Sequence, residues 1–176
     1  MYEILQEECF KLKIDFQEKY INGTIKGLYS DNVIWVNKRI RSTRLKTCIL
    51  AEELGHHHTT GGHILDQKSL VNVKQELRAR YWAYEKLVPF SKIVQAFKIG
   101  IGNRYEFADY LGVTEDFLEL ALSRYKEKYG LFKEYEENEE KYIIYFDPLR
   151  VIEVYKEDGD SSNAGISRFG KENLVF

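Results

Sequence analysis

The stretch that decides the fold is ILAEELGHHHTT, Ile49 to Thr60. It joins apolar residues to two adjacent carboxylates, Glu52 and Glu53, a glycine and three consecutive histidines. Residues four apart in a helix lie on one face, so Glu52 and His56 point in the same direction. Glu53 is rotated from Glu52 by about 100° around the axis. The stretch therefore predicts a helix that presents carboxylates and an imidazole together.

The surroundings of these two acids are apolar. Their neighbours include Cys48, Ile49, Leu50, Ala51 and Leu54. Adjacent glutamates usually lie on a solvated face, but a carboxylate inside an apolar helix is costly unless it is paired or bound to a metal ion. The spacing differs by one letter from H-E-x-x-H, the zinc-peptidase pattern, because Glu52 stands where the first histidine would. A metal site and a solvated acidic face are the two alternatives.

A second helix, predicted from about Val71 to Leu87, offers a further ligand. Catalytic zinc takes three protein ligands and a water. Glu76 shares a helix face with the small residues Ala79 and Ala83, which would let this helix pack closely on the first. The alternative for Glu76 is an ion pair with Arg80, four residues on.

The other elements follow from periodicity and turn formers. Residues 2 to 20 have helical spacing of apolar side chains, and the run Val33 to Val36 pairs with Leu28-Tyr29 as a hairpin. Ser42 or Thr43 can cap the motif helix, and Gly61-Gly62 ends it. Further helices cover residues 90 to 130. The C-terminal part predicts two strands around Asp147-Pro148, after an acidic segment, KEYEENEEK, that is expected to be a solvated loop.

Composition limits the function. The chain has 176 residues with 26 basic and 28 acidic side chains, so its net charge of -2 predicts no strong attraction to nucleic acid or to an anionic membrane. Cys9 and Cys48 are too few for a disulfide framework and are expected to be reduced, buried thiols. No signal peptide or membrane-spanning run occurs, which predicts a cytoplasmic protein.

The chain resembles the ImmA/IrrE family of metallopeptidases, in the variant common in prophages and mobile elements of Gram-positive bacteria. The matching stretches are GLYSDNVIWVN, CILAEELGHHHTTGGHILD, QELRARYWAYEKLVP and YEFADYLGVTEDFLELALSRYKEKYG. Together they cover most of residues 20 to 155. The most specific is E-x-x-A-x-x-x-A-x-x-x-L-x-P, which begins at Glu76.

The resemblance implies a fold and a set of site residues. The expected fold is α+β, with a mainly helical, zincin-like metallopeptidase core, a small antiparallel sheet and a helix-turn-helix-like segment. By position, Glu53 matches the general base that acts on a metal-bound water, His56 matches a histidine ligand and Glu76 matches the acidic ligand. Glu52 replaces the usual first histidine. The implied ion is Zn²⁺, and a carboxylate there also makes Mn²⁺ or Fe²⁺ plausible.

Four segments are expected along the chain. They are a metallopeptidase-like core (1–95), a helix-turn-helix-like segment (96–130), a C-terminal β-hairpin (131–158) and a flexible tail (159–176).

The resemblance also implies a partner. Family members act on repressor proteins of phages and mobile elements, so a helix-turn-helix repressor is the expected substrate. Val33, Ile34, Trp35 and Val36 are candidates for a sheet edge that binds it as an added strand. A hairpin that only packs on the helices is the alternative. His57 and His58 lie on other helix faces than His56, and His63 could reach back from a loop.

Direct nucleic-acid binding is not expected. The second helix of the helix-turn-helix-like segment begins with Glu115 and Asp116 and carries Glu119, which would repel phosphate. Two functions remain: a metal-dependent endopeptidase with Glu53 as general base, or a weak or inactive relative that binds a repressor or another protein without cutting it. Glu52 in place of histidine favours the second.

Overall fold

The computed structural model describes residues 1–59, 69–155 and 169–174. Within these ranges the helices are α1 (Tyr2–Lys11), α2 (Thr43–Thr59), α3 (Ser69–Leu87), α4 (Phe90–Lys98), α5 (Arg104–Leu111) and α6 (Glu115–Tyr129). The strands are β1 (Asp15–Lys19), β2 (Gly27–Ser30), β3 (Val33–Asn37), β4 (Phe132–Glu137), β5 (Glu140–Phe146), β6 (Leu149–Val154) and β7 (Phe169–Leu174). The α+β class expected from the sequence is confirmed.

Helix α2 is the central element. The Ser42 hydroxyl accepts a hydrogen bond from the Leu45 backbone N–H at 3.3 Å, so Ser42, one of the two predicted candidates, caps the helix. Leu50 and Leu54 are completely buried, in keeping with the apolar character of the stretch. The predicted stop at residues 61–62 lies outside the described residues.

Helices α2 and α3 cross at very short range. A Cβ at Gly55 would collide with the backbone carbonyl of Ala79. Ala79 and Ala83 are both fully buried, so small side chains line the α3 side of this crossing. The close packing predicted from the alanines is confirmed, and it carries Glu76 to the motif helix.

A three-stranded sheet lies beside α2, with the order β1-β3-β2. Strands β2 and β3 form the predicted hairpin, and Asp31 and Asn32 turn it with φ values of 47° and 62°. Strand β1 pairs with β3 in parallel, so this sheet is mixed.

The predicted helix over residues 2–20 is wrong beyond Lys11. Lys13 adopts a left-handed φ of 58°, and Asp15–Lys19 pair with Val33–Asn37 instead of continuing the helix. Long-range ladder hydrogen bonds replace the local ones, and Phe16 packs against the core. Periodicity within residues 2–20 contains no information about that distant partner strand.

The helix-turn-helix-like segment is present. Asn103 caps α5 by accepting a hydrogen bond from the Glu106 N–H at 2.9 Å, and Thr114 caps α6 by accepting one from the Phe117 N–H at 3.2 Å. Between them Gly112 adopts a φ of 71°, which suits glycine. The charge argument about α6 remains a prediction.

The C-terminal part is larger than the expected hairpin. Strands β4, β5, β6 and β7 form an antiparallel sheet in that order. The pairing of β5 with β6 around residues 147–148 is confirmed. The solvated loop expected for the acidic segment is wrong, because its side chains alternate between exposed and partly buried along β4. Residues 169–174 form a strand where a flexible tail was expected; 159–168 and 175–176 lie outside the described residues.

One hydrophobic cluster runs through the molecule. It includes Leu50 of α2, Leu118 of α6 and Ile144 of β5. The division into four segments stays a prediction. Cys9 and Cys48 are buried free thiols, as expected. No described helix is long and apolar enough to cross a membrane.

We expect Gly55→Ala to lower the free energy of unfolding by about 1–3 kcal/mol, because the added methyl group forces the α2 and α3 backbones apart. Urea denaturation measures the change. Gly102→Ala is the matched control, since a Cβ there meets nothing within 4 Å. Equal stability of the two variants would show that the crossing tolerates separation.

Candidate active site

A cleft of about 400 Å³ opens between α2, α3 and β2. It brings together the four residues that the sequence singles out, Glu52, Glu53, His56 and Glu76. The rest of its wall comes from β2, the segment before it and one α2 side chain: Thr24, Ile25, Lys26, Gly27, Leu28, Tyr29 and Ile49. Motif residues from two helices therefore face one strand across a single cleft.

Glu53 lies directly against strand β2. A Cβ at Gly27 would be 2.5 Å from the Glu53 Oε1 and 2.5 Å from the Ile49 Cγ2, so only glycine fits at position 27. Burial, and after it the negative charges of Glu52 and Glu76, raise the pKa of the Glu53 carboxyl to about 8. A hydrogen bond from the Tyr29 backbone acts in the opposite direction. The carboxyl can therefore hold a proton near neutral pH.

Glu52 lies one residue earlier and faces α3. Burial is the largest influence and raises the pKa of its carboxyl. The positive charge of Arg80 lowers this pKa, and the negative charge of Glu76 raises it. Lys26 also lowers it, but burial outweighs these opposing charges, so a bound cation would stabilise the carboxylate.

His56 and Glu76 meet across the two helices. The His56 Nε2 lies 3.5 Å from the Glu76 Oε1, with the imidazole 20% and the carboxylate 54% exposed. The Arg80 Nη2 lies 4.0 Å from the Glu76 Oε2. Burial lowers the pKa of His56, while the charge of Glu76 raises it. Glu76 therefore forms the ion pair with Arg80 that is one of the two alternatives, and its contact with the motif histidine is the shorter one. Its role as a metal ligand stays a prediction.

The chemistry of this donor set fits a divalent cation. Two partly buried carboxylates, an imidazole and a half-exposed carboxylate face one cleft, and zinc accepts nitrogen and carboxylate ligands. Within residues 1–59, 69–155 and 169–174, however, no group of three acidic, histidine or cysteine side chains is arranged to hold an ion. His56 and Glu76 are in contact, and Glu52 does not close a set of three.

The three histidines contact different elements. The ring of His57 is hydrogen-bonded through Nδ1 to the Tyr29 hydroxyl at 3.0 Å. The ring of His58 stacks on Trp82 with centroids 4.6 Å apart. The expectation that only His56 shares the face of Glu52 is consistent with these contacts. His63 lies outside the described residues.

The edge strand expected at Val33–Val36 is wrong. β3 is the middle strand, paired with β1 and β2, and its Ile34 and Val36 are fully buried. The Lys19 ammonium lies over the Trp35 ring, 4.1 Å from the centroid of that ring. Within the described part of the chain, β2 pairs with β3 alone.

Sequence reasoning missed the residues of β2 that line the cleft. Gly27 and Tyr29 alternate with Leu28 and Ser30, and the alternation in burial shows that the first pair faces the helix. The stretch GLYS contains this period-two signal, but nothing in it indicates which face meets α2.

The arrangement is a motif helix with a partly buried acid and a histidine, crossed by a helix that adds a further acid, beside a sheet edge. Residues 10–123, more than half of the chain, match the model of peptidase family M78, described as the IrrE N-terminal-like domain, and the chain belongs to this family. A comparison with curated proteins finds no match.

We expect Glu53→Gln to stabilise the metal-free protein as pH rises. The folded-state pKa of Glu53, about 8, lies above its ordinary value of 4.5, so the acid contributes stability below pH 4.5 that is lost as pH rises through 8. Glutamine keeps the shape without the charge. Urea denaturation in the presence of a chelator at pH 4 to 9 measures the free energy of unfolding of both proteins. The difference between Glu53→Gln and the wild type should be small at pH 4 and largest near pH 9.

The exposed Glu134 provides the control. Glu134→Gln should stay within about 0.5 kcal/mol of the wild type over the whole range. A gap for Glu53→Gln that does not widen with pH would contradict the assignment.

Proposed function

We propose that this protein is a metal-dependent endopeptidase in which Glu53 is the general base. The observation that carries the proposal is the position of Glu53, partly buried beside a sheet edge in the same cleft as the contacting pair His56 and Glu76. Membership of a peptidase family supports a protein substrate.

In this function Glu53 takes a proton from the attacking water and later gives it to the leaving amine. A base whose pKa is close to the working pH can do both, and the burial of Glu53 supports this role. His56, Glu76 and Glu52 would hold the ion, which supplies Lewis-acid polarisation of the scissile carbonyl when bound. Zn²⁺ is the expected ion, and the carboxylate of Glu52 makes Mn²⁺ or Fe²⁺ compatible.

The substrate would bind as an added strand along β2. An unpaired strand edge offers backbone groups to an extended peptide, and Gly27 leaves no side chain between that strand and Glu53. The exposed apolar side chains of Ile25 and Leu28 lie along the same cleft wall. They would receive apolar side chains of the substrate.

A repressor protein of a phage or mobile element is the proposed substrate. This follows from the family resemblance and would place the reaction in the cytoplasm. Direct nucleic-acid binding is not part of the proposal, because Asp116 and Glu119 are exposed on α6, where a recognition helix would meet phosphate.

We expect Glu53→Gln to lower the cleavage rate by about 10²–10⁴-fold while metal content and fold are retained, because only the proton acceptor is removed. The measurement is mass spectrometry of the repressor encoded beside the gene after incubation with metal-loaded protein. Glu134→Gln serves as the control. Undiminished cleavage by the Glu53 variant would rule out this mechanism.

A protein that binds a repressor without cutting it is the second candidate. Glu52 in place of histidine favours it, as does the lack of a three-residue metal group among the described side chains. Repressor binding by a protein that takes up no metal would establish this candidate.

Metal analysis distinguishes the metal-dependent endopeptidase from the binding protein that does not cut. We expect about one ion per chain, lost in His56→Ala and in Glu76→Ala. Because zinc prefers imidazole more than manganese does, we expect Glu52→His to raise the ratio of Zn²⁺ to Mn²⁺ affinity by about tenfold or more. Competition against a chromogenic chelator measures both affinities. An unchanged ratio would remove Glu52 from the ligand set.

A further inference from the structure

We propose that Tyr29 and His57 form a latch that fixes strand β2 at a set distance from Glu53 and so positions the bound peptide. His57 belongs to the histidine run but lies on a different helix face from His56 and Glu52. Its ring is hydrogen-bonded to the Tyr29 hydroxyl at 3.0 Å. The rings also meet edge-on, with centroids 5.6 Å apart.

The latch depends on a match between the spacing of residues along the strand and their spacing along the helix. Two residues along a strand advance about 6.6 Å, and four residues along a helix advance about 6.0 Å. Gly27 and Tyr29 are therefore spaced as Glu53 and His57 are. Gly27 contacts Glu53, and Tyr29 contacts His57. The strand lies in register with one face of α2 at both points.

Tyr29 touches both ends of this arrangement. Its backbone is hydrogen-bonded to Glu53, and its hydroxyl is hydrogen-bonded to His57. A shift of β2 along α2 would therefore break the contact with the base and the contact with the histidine together. Tyr29 is a positioning residue, since it acts through the strand and through Glu53.

Strand β2 needs a contact that keeps it in place on α2. It has four residues and, in the described part of the chain, pairs with β3 alone. Short strands at a sheet edge open more easily than central ones. The Asn37 side chain fixes the segment before β2 by donating to the carbonyls of Ile21 and Ile25 at 3.1 and 2.9 Å. The Tyr29 hydroxyl supplies the corresponding hold on the strand itself.

The histidine end of the latch is supported in turn. The His57 ring packs edge-on against His58, whose ring stacks on Trp82. The His58 Nε2 lies 3.8 Å from the Glu8 Oε1, and Lys86 forms an ion pair with the same carboxylate at 2.7 Å. Helices α1, α2 and α3 therefore hold the anchor to which β2 is attached.

Hydrogen exchange of the metal-free chain tests the latch. We expect amides 27–30 to exchange about 2- to 10-fold faster in Tyr29→Phe and in His57→Ala, because both variants lose the hydrogen bond between these two side chains. Tyr29→Phe also removes the longer bond that the hydroxyl donates to the Asn32 Oδ1 at 3.5 Å, whereas His57→Ala leaves that bond in place. Amides of the central strand β5 should be unchanged. Tyr155→Phe is the control, since it also removes a tyrosine hydroxyl that is hydrogen-bonded, to Glu153 at 2.9 Å, next to strand β6 of the other sheet.

A conservative variant separates the hydrogen bond from packing. His57→Asn places an oxygen or nitrogen near the position of Nδ1 and should restore slow exchange at 27–30. Asparagine is a poorer helix former than alanine, so restoration would not come from helix propensity. Unchanged exchange in Tyr29→Phe and His57→Ala, equal acceleration of β2 and β5, or exchange in His57→Asn as fast as in His57→Ala would each overturn the latch.

The role in peptide positioning rests on the proposed function, whereas the exchange measurement needs neither metal nor substrate. If the wild-type chain cuts no repressor but the variants exchange as expected, only the proposed peptidase activity is refuted. Normal cleavage with unchanged exchange in the variants would refute only the latch.

Discussion

The contact between the backbones of Gly55 and Ala79 is the constraint on which the rest of the site depends. It sets the distance between α2 and α3, and that distance decides whether Glu76 reaches His56. A larger residue at either position would separate the helices, and close-packed interiors do not absorb such a change without cost. The motif glycine is thus a packing requirement of the crossing.

A second close approach fixes the other wall of the cleft. Gly27 lets strand β2 lie directly on the Glu53 carboxylate, and this contact removes water from the acid. Desolvation is the largest cause of the raised pKa of Glu53, about 8, and a carboxyl with a raised pKa makes the metal-free protein less stable at high pH. The same burial gives the acid a pKa suited to proton transfer. The burial of Glu53 is therefore the cause both of the lower stability at high pH and of the suitability of this acid as a base.

The histidine run shows how one helix can serve several neighbours. Successive residues in a helix differ in direction by about 100°, so three in a row cannot face one ion. His56 contacts Glu76 in the cleft, His57 contacts Tyr29 on the sheet edge, and His58 stacks on Trp82. A sequence that suggests a metal-binding cluster instead connects the motif helix to three surrounding surfaces.

Helical spacing within single segments was enough to predict α2, a cap at Ser42 or Thr43, and the face of α3 on which small alanines allow close packing. These features depend on residues three or four apart, and sequence shows such relations directly. Only the tertiary structure decided that Asp15–Lys19 leave the helix to pair with β3 and that β2 is therefore the strand beside Glu53. Strand pairing joins residues far apart in the chain, so no local pattern specifies it.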